Sequence, residues 1–253
     1  MTTNTASLRH SWSPTDPRVP DALREAEITQ LRLIYDSSNY VFLADLDHPE
    51  LGEGLGVYKP ERGEQPLHDF PYGMLYQREV AAYEASELLG WSLIPPTVER
   101  DGEHGIGSMQ LFIEHDPAEH YFAIRERDDF DGQLVRMAAF DLIANNADRK
   151  GGHILVGDAE HIWGIDNGLC FNSVEKLRTV VWDYAGTELP EAWRDDIQCL
   201  RDRVQDADEE SAALRSRLGE SELAAFVTRC DALLSHPVLP EMYPWRCVPW
   251  PIL

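Results

Sequence analysis

The chain has 253 residues, 43% hydrophobic and 26% charged, with a formal net charge of −23. That length supports one large domain or two small lobes around a sizeable core. So acidic a surface repels phosphate backbones and anionic lipid headgroups, which makes nucleic acid and membranes poor partners.

The opening residues, MTTNTASLRHSWSP, carry no apolar stretch of the signal-peptide kind, and no apolar run reaches the length of a membrane span. Cys170, Cys199, Cys230 and Cys247 are widely spaced and form no CxxC pair. They read as reduced thiols of a cytoplasmic protein rather than a disulfide frame or zinc site.

Residues 1–20 read as a loose Ser/Thr/Pro-rich arm, and 21–27 as a helix. Branched and aromatic residues predict strands over 28–35 and 40–47, joined by the turn DSSN at 36–39. LGVYKP (55–60) predicts a third strand, stopped by Pro60. A loop covers 61–73. A helix follows over 75–90, with Val80, Tyr83 and Leu88 on one period and Gly90 as its stop. Residues 95–113 predict two strands around an Asp-Gly turn. The composition then changes. DGQLVRMAAFDLIANN (131–146) is a buried helix, and three acidic amphipathic helices lie near 189–205, 208–218 and 220–234. The Pro- and Trp-rich C-terminus is expected to pack as an extended tail, because exposing Trp245 and Trp250 together is costly. The expectation is an α+β fold of two lobes. A small antiparallel-sheet N-lobe covers 21–113 and a mainly helical C-lobe covers 114–253.

Phosphoryl transfer from a nucleotide needs backbone donors over the phosphates, a lysine to neutralise them and a carboxylate to hold that lysine. It also needs one aspartate at the attacking hydroxyl and another for the metal. Candidates occur in that chain order. Ser37, Ser38 and Asn39 form a turn of small side chains suited to phosphate. Lys59 ends an apolar strand. Glu79 is placed to reach it, with Glu84 and Glu87 as competitors. Asp148 directly follows the buried helix, and Lys150 is placed to meet the transferred phosphate. Asp166 lies beyond two short strands, in IDNG. An ordinary hairpin with an Asn-Gly turn at 167–168 explains that motif equally well without chemistry. Lys176 and Arg178 form a small basic cluster able to grip an anionic acceptor.

LGVYKP, NADRKGGHIL and IDNG, with DSSNYVFL, resemble the phosphatidylinositol 3-/4-kinase-like proteins over about residues 28–175, especially type II phosphatidylinositol 4-kinases and their bacterial relatives. The resemblance implies a protein-kinase-like fold that binds ATP between its two lobes, with Mg²⁺ or Mn²⁺. Lys59 is then the phosphate lysine, Asp148 the catalytic aspartate and Asp166 the metal aspartate. Main-chain contacts to adenine come from Gln110, Leu111, Phe112 and Ile113. His153 stands where the family places a metal-binding asparagine, and imidazole suits softer metals than magnesium. The expected function is transfer of the γ-phosphate of ATP to a hydroxyl of a soluble small molecule or protein. A nucleotide-binding pseudokinase and an AMP-transferring enzyme are the alternatives.

Overall fold

The structure, a computed structural model, describes residues 11–35 and 39–253. A short helix α1 (Val19–Glu25) leads into β1 (Glu27–Ile34), β2 (Val41–His48) and β3 (Gly52–Pro60). Helix α2 (Leu75–Leu88) follows, then β4 (Thr97–Gly102) and β5 (Gly105–Leu111). These strands make one antiparallel sheet in the order β1-β2-β3-β5-β4. The β4–β5 turn has Glu103 and His104 at its tip, with Gly102 opposite Gly105, so the reversal falls two residues later than the Asp-Gly pair predicts. Gly105, at φ +96°, supplies the conformation that the return needs.

Alternation sorts the sheet into two faces. Ala44, Leu46, Tyr58, Val98, Met109 and Leu111 are buried with α1 residues Val19, Ala22 and Leu23. Lys59, one residue after Tyr58, points the opposite way, toward α2. Gly107 pairs with Pro60, and a Cβ on it would lie 2.3 Å from the Lys59 carbonyl oxygen. Glycine there lets β5 close against the strand that carries the lysine.

Beyond β5 come α3 (Tyr121–Ile124), α4 (Asp131–Ala144) and a hairpin of β6 (Ile154–Val156) with β7 (Ile162–Gly164). Then follow α5 (Glu191–Asp206), α6 (Ala212–Arg217) and α7 (Glu220–Ser235). Helix α4 is apolar on most faces, and Leu134, Met137, Phe140 and Ile143 are fully buried. Each such side chain contributes about 1.5–3 kcal/mol of burial. The helix ends because Asn145 turns left-handed (φ 52°), a conformation that asparagine tolerates.

Two cores interlock across the expected lobe boundary. Alanines 81, 82 and 85 of α2 belong to the core of the helical half, while Leu155 and Trp163 of the β6–β7 hairpin join the core of the sheet. Of the face predicted for α2, Val80 is buried, while Tyr83 and Leu88 are only partly buried. The C-terminal segment returns to the middle of the chain. The Cys247 carbonyl accepts from Thr179 N–H (3.0 Å), and the Ile252 carbonyl accepts from Gly151 N–H (2.7 Å). Trp245 and Trp250 are nevertheless 59% and 78% exposed, contrary to the packed tail expected. The tail is held by these backbone bonds and by its buried Cys247 and Pro249, while Trp245 stacks on Tyr243. Among the described residues, no helix is long and apolar enough to cross a membrane.

Candidate active site

A cleft of about 260 Å³ opens between the sheet and the helical half. Asn39, Lys59, Glu79, Asp148, Asp166 and Gly168 line it, with Tyr40, Leu67, Tyr76 and Leu169 as its apolar walls. Five of the residues singled out by sequence thus meet at one place. Ser37 and Ser38 lie outside the described residues. Asn39 accepts the Gln65 N–H on its side-chain oxygen (2.9 Å).

Lys59 is the hub. Its Nζ lies 2.5 Å from Glu79 Oε1 and 2.8 Å from Asp166 Oδ1. Of the three glutamates on α2, Glu79 is the one that reaches it. Glu84 pairs instead with Arg217 (3.5 Å). Burial by itself would lower the ammonium's pKa, but Asp166 and Glu79 outweigh it and hold the pKa above its ordinary value. The second oxygen of Glu79 accepts the backbone N–H of Asn167 (3.0 Å), so one carboxylate ties the lysine to the Asp-Asn-Gly segment.

Asp166 sits at φ 61°, a left-handed conformation uncommon for a residue with a side chain. Holding it costs on the order of 1 kcal/mol or more, and such strain collects at functional sites. Lys59 draws its carboxyl well below the usual carboxylate range. Its other oxygen faces His153 Nε2 at 3.3 Å. Burial pushes His153 down to about 4, against the pull of Asp166, so the ring is neutral at physiological pH. Its Nδ1 accepts the Lys150 N–H at 3.4 Å, a long contact that leaves the ring proton on Nε2, directed at Asp166. Asp148 is partly buried, and burial raises its carboxyl's pKa while Lys150, 3.1 Å away, opposes the shift.

Behind these groups lies a buried polar lattice that the sequence reading did not single out. Arg149 is fully buried and its Nε lies 3.0 Å from Asp141 Oδ1. It also donates to the Ile165 carbonyl (2.9 Å) and to Asn167 Oδ1 (2.7 Å). Asp141 accepts further from Asn146 (3.1 Å) and Thr179 (2.9 Å), and Asn146 Oδ1 takes the Asp148 N–H (2.9 Å). Both aspartates of the cleft are thus positioned by one network. Its only local signal was an acidic residue in the last turn of an apolar helix, followed eight residues later by an arginine. Asn167 is buried within this network and lies beyond the β6–β7 hairpin, so the Asn-Gly pair does not form a hairpin turn.

Gln110, Leu111, Phe112 and Ile113 do not line the cleft. The Gln110 side chain donates to Thr97 (2.8 Å), Phe112 N–H bonds the Leu55 carbonyl (3.0 Å), and the Ile113 carbonyl meets the His115 ring (2.8 Å). Lys176 is engaged by Asp69 at 2.9 Å, which takes up the charge that an anionic acceptor would need.

The family profile for phosphatidylinositol 3- and 4-kinase matches residues 92–191, a span that holds Asp148, Lys150, His153 and Asp166. Protein Rv2133c of Mycobacterium tuberculosis is 37% identical over 266 residues, covering 90% of this chain and 93% of that protein. The chain belongs to the PI3/PI4-kinase-like superfamily. Solved structures share the fold at low identity. The Golgi casein kinase with Mn and ADP bound aligns with a TM-score of 0.54 at 14% identity, over 87% of this chain and 74% of that one. Hydra Fam20 with sugar gives 0.51 at 17% identity, over 86% of each. Superfamily and fold together support a kinase-type enzyme. Lys59 and Glu79 lie outside the matched span, so their meeting with Asp166 is independent of it.

Proposed function

We propose that the chain is an ATP-dependent phosphotransferase that moves the γ-phosphate to a hydroxyl of a soluble small molecule or protein. The observation that carries this reading is Lys59 held between Glu79 and Asp166, with Asp148 lining the same cleft. Lys59 orients and neutralises phosphate oxygens. Asp148, its affinity for a proton raised by burial, accepts the hydroxyl proton as the oxygen attacks in line. Lys150, beside it, offsets charge on the transferring group.

The donor set fits a divalent cation that takes most of its ligands from the nucleotide and water. Three carboxylates (Glu79, Asp148, Asp166) stand against two ammonium groups (Lys59, Lys150), which leaves one negative charge at the cleft. Asp166 is half-exposed beside a neutral imidazole. Asp166 would hold Mg²⁺ or Mn²⁺ with His153 next to it, and the bound ion would supply charge neutralisation across the phosphates. Ligation through His153 Nε2 requires its proton to move to Nδ1.

The test is ATP turnover with Mg²⁺ and with Mn²⁺ by the wild type and by Asp148→Ala, with mass spectrometry of any modified acceptor. Turnover lost in Asp148→Ala and a product heavier by one phosphate support the reading. Nucleotide binding without turnover in either metal identifies a pseudokinase, and a product heavier by a nucleotide identifies AMP transfer.

A further inference from the structure

Helix α2 presents Glu79 to Lys59, and it also packs against α6. Two ion pairs tie it to the last two helices of the chain. Arg78, the neighbour of Glu79, donates from Nη2 to Glu222 Oε1 of α7. Glu84 lies 3.5 Å from Arg217 of α6, which also pairs with Glu99 of β4. Residues 78 and 84 are about 9 Å apart along the helix axis, so α2 is held at two levels. Between them Ala81, Ala82 and Ala85 are fully buried in one core with Leu214 of α6 and Phe226 of α7.

Arg78 is 1% exposed, and a guanidinium so buried persists only with its partners in place. Its Nη1 donates to the carbonyl of Cys170 (2.6 Å), four residues after Asp166. Glu222 is engaged on both oxygens. Its Oε2 accepts the Gly219 N–H (2.9 Å), which caps the first turn of α7, while Oε1 holds Arg78. Consecutive residues of α2 thus hold the Asp-Asn-Gly segment at two points, Glu79 at the Asn167 N–H (3.0 Å) and Arg78 at the Cys170 carbonyl. Phe171, the next residue, meets Phe226 of α7 edge to face, with ring centroids 5.5 Å apart.

We infer that α6 and α7 form a built-in clamp that fixes α2 where the Lys59–Glu79 pair needs it, with Arg78 and Glu222 as its positioning residues. In protein kinases the equivalent pair depends on the position of its helix, which is under separate control. Here helices of the same chain hold α2 through Arg78 and Glu84. The effect on turnover rests on the phosphotransfer reading, whereas the clamp itself is measured without turnover.

Glu222→Gln keeps an oxygen for the Gly219 cap but removes the charge that holds Arg78. Its kcat/KM for ATP should fall about tenfold. In a Glu79→Gln background the same change should cost less than about twofold, because the clamp acts through Glu79. Amide exchange over 75–88 and 166–171 should become about fivefold faster or more in Glu222→Gln, with that of 134–143 in α4 unchanged. Asp231→Asn, which breaks the Arg201 pair (2.7 Å) elsewhere on α7, is the control and should change neither quantity. Arg78→Lys supplies the same comparisons if Glu222→Gln does not fold. An equal loss of kcat/KM in both backgrounds overturns the inference, and so does α2 exchange as slow as in the wild type. A wild type without ATP turnover removes the phosphotransfer reading, and amide exchange then decides the clamp alone.

Discussion

Glu79 and Lys59, twenty residues apart, meet at 2.5 Å across the edge of the cleft. The second oxygen of that carboxylate holds Asn167, so the lysine's position and that of the Asp-Asn-Gly segment are set together. Glu79→Gln preserves shape but removes the charge. A charge-assisted hydrogen bond is worth about 1.5–3 kcal/mol, so kcat/KM for ATP should fall about 10- to 100-fold, and thermal stability should fall as well because the carboxylate is buried. Kinetics within about twofold of wild type would detach Glu79 from the reaction.

Lys59→Ala removes the ammonium that faces Asp166. Nucleotide affinity should weaken, and the remaining turnover should fall further than in Glu79→Gln, because the charge itself is lost rather than its orientation. Fluorescence titration with an ATP analogue checks the first point and steady-state turnover the second.

The Arg149–Asp141 pair is fully buried. Arg149→Met strands the Asp141 carboxylate and should cost about 3–5 kcal/mol in urea unfolding. The double variant Arg149→Met/Asp141→Leu should recover most of that stability, since two apolar groups replace two charges. Turnover should stay low, because Asn146 and Asn167 lose the partners that position Asp148 and Asp166. A double variant that is both stable and active would reduce the lattice to packing.

The pH dependence follows from Asp148. Burial raises its carboxyl's pKa, and Lys150 lowers it. A base works deprotonated, so kcat/KM should rise with pH through a pKa higher than that of an ordinary aspartate. Lys150→Met removes the lowering charge and should shift that rising limb to higher pH. A limb that stays in place or moves down would remove Asp148 from the role of base.

His153→Asn replaces an imidazole beside Asp166 with an amide whose oxygen suits a hard cation. Activity with Mg²⁺ relative to Mn²⁺ should increase. An unchanged ratio would confine His153 to orienting the Asp166 carboxylate.

Much of this molecule is local and therefore readable from the chain. Runs of branched and aromatic residues place β1, β2 and β3 within a few residues of their observed bounds, and Pro60 ends β3 as its missing N–H requires. The apolar run at 131–144 forms α4, and Asp148 follows it. Other features depend on contacts between distant segments. Glu79 is distinguished from Glu84 only by which side of α2 faces β3, since Arg217, from α6, takes up Glu84. Asp141, Arg149 and Asn167 look like unrelated polar residues until α4, the loop after it and the segment after β7 bury them together. Burial turns each into a group that must find a partner. The tail shows the reverse case: hydrophobicity predicts burial for Trp245 and Trp250, but the segment is anchored through the Cys247 and Ile252 carbonyls and both rings stay exposed. Sequence by itself determined the strands, the helices and the identity of the charged groups, because these rest on neighbours within a few residues. The pairing of those charges, their burial and their altered proton affinities were decided by tertiary structure, because an electrostatic energy depends on distance and solvent exposure, not on order along the chain.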